Sequence, residues 1–300
     1  MEAWIPITIA AAALQTVRSG LQKHLKGQLS TTGATFSRFL YAWPLAILYL
    51  LLLNQGLGLA IPTPNAEFAM HCAVGGLAQI GGTAALVQLF SYRNFAVGTA
   101  YSKTDTVQAA LFGIIVLGDA VSAMAGAAIL VSLVGVIAIS TARQTIGLTT
   151  VMRQLLGKAA LMGLLSGAGF GISAVSYRGA ALALDDGGSV TQAALTLVVV
   201  LIYQTLLMGG YMRLVDFAQL KAVLCAWPVG IWVGVSGMLG SAGWFTAMAM
   251  QNAAYVRAVG QVELVFTIAV SALVFREKTT RRELFGIVLI ILGILLLILS

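Results

Sequence analysis

The sequence predicts an all-α, polytopic membrane protein with ten transmembrane helices in two five-helix inverted repeats. Three observations carry this. Of 300 residues, 59% are hydrophobic and only 9% charged, with a mean hydropathy of +0.95; a soluble domain carries roughly a quarter charged residues. Ten apolar runs recur, each near the ~20 residues a helix needs to cross the hydrocarbon core. Finally, the two halves come into register when one is shifted onto the other. So much apolar surface cannot be hidden within one soluble globule, so lipid is the expected solvent. A soluble enzyme, a disordered chain and a disulfide scaffold are excluded. Cys72 and Cys225 lie in apolar runs and are expected to be small buried hydrophobes.

The expected spans are 5–22, 31–53, 68–90, 98–117, 121–140, 158–177, 190–212, 223–250, 258–275 and 283–299. None shows strand alternation, which argues against a β-barrel. The N-terminus, Met1-Glu2-Ala3-Trp4, lacks a basic leader, so the first run is expected to stay in the mature protein. Pro62 and Pro64 mark the stretch 54–67 as a loop; 141–157, with Arg143 and Arg153, reads as a linker or interfacial helix. Pro44 and Pro228 are expected to kink their spans. Gly163, Gly167 and Gly171 fall four apart, a spacing that lets helix backbones approach closely. The string Gly167-Ala168-Gly169-Phe170-Gly171 follows no strand, so it reads as packing rather than a phosphate loop.

The net charge of +7 reads as a topology signal facing anionic lipid, not as a nucleic-acid footprint. Basic residues such as Lys23, Lys26, Arg213, Lys221, Arg281 and Arg282 gather in odd-numbered loops. The even loops hold only Arg178 and Arg257. The positive-inside rule then puts the odd loops in the cytoplasm and both termini outside.

A shift of 158 residues brings Gly82 onto Gly240, Asn94 onto Asn252, Asp105 onto Glu263, Asp119 onto Glu277 and Gly135 onto Gly293. Polar matches carry most weight because polar residues are scarce. Halves of five helices must insert with opposite orientation, the plan of many secondary transporters, with the substrate site near the midplane between them. The expected units are 1–145 and 155–300.

Ten apolar spans in two such halves resemble the EamA-type members of the drug/metabolite transporter superfamily, over essentially the whole chain. The most characteristic pieces end each half: Val116-Leu117-Gly118-Asp119 into an apolar helix with Gly135, and Val274-Phe275-Arg276-Glu277-Lys278 into one with Gly293. The family usually has Gly-Glu-Arg at this turn, and both halves depart from it. Phe36-Ser37-Arg38-Phe39-Leu40 also resembles the family's second helix. The resemblance implies a transporter, and many relatives are metabolite or amino-acid exporters.

A charge at the bilayer centre costs about 2.5–3.5 kcal/mol on insertion scales, so those that persist there have partners, water or a function. Asp105 and Glu263 fall well inside spans, at equivalent positions, as do Arg18, Arg38 and Lys103. The two carboxylates are expected to face one polar cavity, carrying protons or holding a substrate amino group. Tyr101, Asp105 and Gln108 share one helical face. Lys103, two residues from Asp105, points away from it and must find another acid, a carbonyl or water. Arg38 is a candidate for binding a carboxylate bidentately, and Arg18 for snorkelling to the headgroups. Gln79, Gln88 and Gln261 are candidate cavity donors, and Trp244, Tyr101 and Tyr255 a candidate aromatic wall.

No triad, zinc arrangement or Walker motif occurs, so neither an enzyme nor an ATP-driven pump is expected, and no cofactor. The function expected is secondary active transport of a small polar or amphipathic metabolite, an amino acid or related zwitterion first. Export or exchange would be driven by a proton or ion gradient across a bacterial inner membrane. The partners expected are a small-molecule substrate and membrane lipid, with no nucleic acid, in a monomer or homodimer. The rival readings are an organic-cation or drug exporter, a nucleotide-sugar-type carrier, and a non-transporting scaffold or receptor subunit.

Overall fold

A computed structural model describes residues 2–91, 102–141, 158–273 and 280–299. Among them the ordered elements are helical and there is no strand. The first four helices are α1 (Trp4–Leu25), α2 (Thr31–Leu40), α3 (Trp43–Leu51) and α4 (Ala66–Leu89). Two more follow, α5 (Asp105–Leu117) and α6 (Ala123–Thr141). The later chain forms α7 (Lys158–Leu182), α8 (Ser189–Val215), α9 (Phe217–Cys225), α10 (Trp227–Met250), α11 (Ala253–Val259), α12 (Glu263–Leu273) and α13 (Arg281–Ile298).

Local sequence sets the ends. Ser30 accepts from the Gly33 amide at the start of α2, and Asn65 from that of Phe68 at the start of α4. Gly118, at φ +65°, closes α5 in the left-handed conformation that glycine adopts without strain. Pro44 and Pro228 do not kink helices from within. Each sits in the first turn, of α3 and of α10, where its missing N–H costs nothing. The expected single span 223–250 is two helices: α9 and α10 meet at 83° around Ala226. Cys225, at that bend, is exposed rather than buried, whereas Cys72 is buried as expected.

Thr31–Gly56, Ala66–Leu89, Ser189–Val215 and Ala253–Val270 are each long and apolar enough to cross a membrane. The bent pair α9–α10 makes a fifth if it is one span. Large apolar side chains point outward along the bundle, Ile115, Leu206, Leu214 and Leu273 among them. In water such a surface would be an aggregation site; in lipid it is the matched face.

Inside, α4 packs along α7, α1 along α10, and α6 along α13. These contacts are close because glycines line them. A Cβ on Gly169 of α7 would lie 2.6 Å from the Ala78 carbonyl oxygen of α4, and one on Gly135 of α6 2.6 Å from that of Gly286 on α13. The approach expected of Gly167 and Gly171 is made against α5: their Cβ positions fall 3.1 Å from the amide nitrogens of Asp105 and Ala109. Phe36, Phe39, Phe68, Leu197, Met212 and Met248 fill the main core.

Candidate functional site

Two helical runs turn irregular where they carry an acid. The run expected to be continuous from 98 to 117 has a turn at Lys103–Thr104, and α5 begins at Asp105. The run through α11 tightens into a 3-10 turn at Gly260–Val262, and α12 begins at Glu263. Asp105 therefore sits in the first turn of α5, and Glu263 follows a tightened turn within the continuous helical run Ala253–Val270.

Both acids are almost completely buried, and each is paired across the molecule. Lys103 donates to Glu263, which also accepts from Gln15 Nε2 of α1 at 2.7 Å. Asp105 pairs with Arg257 of α11, whose Nη1 lies 3.3 Å from its Oδ2. The pairs cross: each half of the chain supplies one acid and one base. Gln261 reaches the Asp105 pair by donating to Thr106 Oγ1 at 3.0 Å, and Thr106 in turn lies 3.4 Å from Asp105 Oδ1. Lys103 meets an acid other than Asp105, as the two-residue spacing requires.

Arg257 was missing from the expected site. It falls between the expected spans 223–250 and 258–275 and so reads as a loop charge. It is instead buried on α11, with Nη2 donating to the Phe170 carbonyl at 3.3 Å and its guanidinium 5.0 Å from the Trp244 ring. Asn252 could have signalled this: its side chain caps α11 from the Ala254 amide, which puts Arg257 a full turn inside the helix. Arg178 is likewise no free loop charge, since it lies on α7 and pairs with Asp119 at 3.2 Å.

A small cavity opens beside the ion pairs, lined by Gln15, Arg38, Gln79, Tyr177, Trp244 and Arg257 together with Phe170, Ser241, Phe245 and Met248. Its free space is about 10 Å³, room for one water. Of the expected residues, Arg38, Gln79 and Trp244 line it. Asp105, Glu263 and Lys103 do not: the expectation that two carboxylates face a common chamber is corrected to two carboxylates closed on bases beside it. The cost of an unpaired buried charge is the reason.

Other expected residues go elsewhere. Gln108 leaves the face of Asp105 and bridges to α7, its Nε2 lying 3.1 Å from Thr104 Oγ1 and 3.4 Å from the Leu164 carbonyl. Gln88 accepts from Thr31, away from the cavity. Tyr255 hydrogen-bonds the Ser122 amide at 3.3 Å. Tyr101 and Glu277 lie outside the described residues. Gln79 accepts from both Tyr177 and Gln204, at 3.1 and 2.9 Å, which fixes it as an acceptor at the cavity wall. Arg18 does not snorkel; it is buried, as Arg38 is.

The model of the EamA-like transporter family matches residues 157–299, which bears out the resemblance read from the sequence over the second half of the chain. No curated protein matches the chain. A solved structure, described only as the crystal structure of a protein, superposes with a TM-score of 0.68 at 15% identity. The match covers 99% of this chain and 96% of that one, a likeness of fold. Family match and apolar helices together support an integral membrane protein.

Proposed function

We propose that the chain is a secondary active transporter that moves a small polar organic solute by alternating access, and is not an enzyme. Ten spans in two inverted five-helix units, 1–145 and 155–300, would frame a pathway whose midpoint is the cavity beside Arg38, Trp244 and Arg257. The exchange of helix partners supports the repeat. Gly82 of α4 sits against α7, and its counterpart Gly240 of α10 against α1. Gly135 and Gly293 both lie in the contact between α6 and α13.

The observation that carries the reading is the crossed pair of buried ion pairs, Lys103–Glu263 and Asp105–Arg257, each beside an irregular helical turn. Intramembrane ionisable residues default to function, and broken helices mark substrate and ion sites in transporters. Both pairs join one half to the other, so separating the halves must open them. An incoming proton or solute that takes over one partner makes that separation cheaper. Lys103, Asp105, Glu263 and Arg257 are thus the coupling residues, with Gln261 beside them, and Arg38, Gln79 and Trp244 the solute side. The membrane is a bacterial inner membrane, and one chain supplies a full pathway.

Purified protein in liposomes tests this: uptake of a solute panel with and without an imposed pH gradient. Transport should appear in wild type and fall at least about tenfold in Asp105→Asn and Glu263→Gln, as the loss of a charge-assisted contact predicts. Unchanged transport in both variants, or none for any solute, would refute it.

A further inference from the structure

The buried charges do not balance. Among the described residues, Arg18, Arg38, Lys103 and Arg257 are buried bases, against only Asp105 and Glu263 as buried acids. Lys103 and Arg257 hold the two acids, so Arg18 and Arg38 form no ion pair of their own, though Glu263 is near enough to Arg18 for its charge to act on it. Arg38 donates to Thr83 Oγ1 at 2.8 Å, a neutral partner. Arg18 Nε and Nη2 have no hydrogen-bond partner, and neither have Arg257 Nε and Trp244 Nε1. All four atoms are donors.

These groups are close together. The stems of Arg18 and Arg38 flank Gly237 of α10, whose Cβ position lies 3.3 Å from Arg18 Cδ and 3.7 Å from Arg38 Cγ. Arg38 is near enough to Arg18 and Arg257 for their charges to act on it. Guanidinium stays charged in proteins, so this repulsion cannot be relieved by losing a proton. The cavity is walled by Phe170, Tyr177, Trp244 and Phe245.

We infer that this cavity is the binding site of an organic anion: a carboxylate or phosphate ester whose charge is taken by Arg38 with Arg257 and Trp244, Arg18 lying behind. The aromatic wall holds its carbon skeleton. This deepens the proposed function by naming its substrate class. It sets aside the zwitterion expected from the sequence, because both acids that would hold an ammonium group are already occupied by bases. An anion meets unpaired donors and cancels the excess charge, whereas a cation adds to it. The closed space of one water means that the solute enters only when the halves part.

Three probes with one skeleton decide it: 3-phenylpropionate, phenylalanine and phenethylamine are an anion, a zwitterion and a cation. Succinate, phenyl phosphate and chloride complete the set. Binding to the detergent-purified full chain is measured by calorimetry, and uptake in liposomes. At least one organic anion should bind. Among the matched three, 3-phenylpropionate should bind about tenfold or more tighter than phenylalanine, and phenethylamine should not bind. Arg38→Gln should weaken anion binding about tenfold or more, and Arg38→Lys less, since it keeps the charge and loses the fork. Phenylalanine or phenethylamine binding as tightly as 3-phenylpropionate overturns the inference, as does binding of chloride alone or of no anion. The wild-type ranking needs no variant to fold. Uptake of the zwitterion or the cation that requires Asp105 and Glu263 sinks the anion site and leaves the transporter standing. Anion binding without uptake does the reverse.

Discussion

Asp105 shows what a buried charge demands of its neighbours. It is buried, Arg257 Nη1 lies 3.3 Å from its Oδ2, and Thr106 Oγ1 lies 3.4 Å from its Oδ1. Removing one partner leaves the other charge unpaired, which costs about 3–5 kcal/mol in a buried pair, whereas replacing both together is far milder. Arg257→Gln is therefore expected to destabilise the detergent-solubilised protein by about that much in a denaturation series. The double variant Asp105→Asn/Arg257→Gln should recover most of the loss. The same cycle on Lys103→Met and Glu263→Gln should show the same coupling. Equal, additive losses in either cycle would mean that the pair is not formed. At this scale the acids were legible from the sequence, because two carboxylates in long apolar runs stand out. Arg257 was not, because its role depends on a helix start at Asn252 and on a partner far away in sequence.

At the scale of the element, glycine decides where helices touch. Leucine at Gly169 would drive a side chain into the backbone of α4, whose Ala78 carbonyl lies 2.6 Å from the Cβ position. Overpacking of a tight contact costs about 1–3 kcal/mol, and backbone contact puts Gly169→Leu at or above the top of that range. A Cβ at Gly260 would fall 2.2 Å from Trp244 Cη2. Gly260→Ala is therefore expected to displace the Trp244 ring from the cavity, read as a change in tryptophan fluorescence with the fold retained. An unaltered spectrum would count against Trp244 as a cavity wall. The small-residue spacing of α7 was visible in the sequence, and so were most helix ends. The irregular turns ahead of Asp105 and Glu263 were not. Ser102-Lys103-Thr104 ahead of Asp105 and Gly260-Gln261 ahead of Glu263 do interrupt the apolar pattern, but polar residues and a glycine inside an apolar run do not by themselves say that the helix turns irregular there. The 83° bend at Ala226 was not legible either: the expected span 223–250 starts at the end of α9 and leaves the rest of that helix in a loop.

For the whole molecule, the excess of basic residues in the odd-numbered loops implies that both termini face away from the cytoplasm. A reporter fused to the C-terminus and active only outside the cytoplasm should give signal, whereas one active only inside should not. The reverse pattern would invert the proposed orientation. Ten spans also require both ends on one side, so reporters on opposite sides would remove the even count.

The sequence by itself determined the solvent, the helical class and the approximate position of each helix. These follow from how much apolar surface there is and how it is spaced, quantities that are additive along the chain. Only the tertiary structure decided which charges meet. Pairing across about 160 residues depends on helix rotation and on a glycine-lined approach. Those same features close Asp105 on Arg257 and Glu263 on Lys103, and leave Arg18 and Arg38 without an ion pair of their own beside an aromatic cavity.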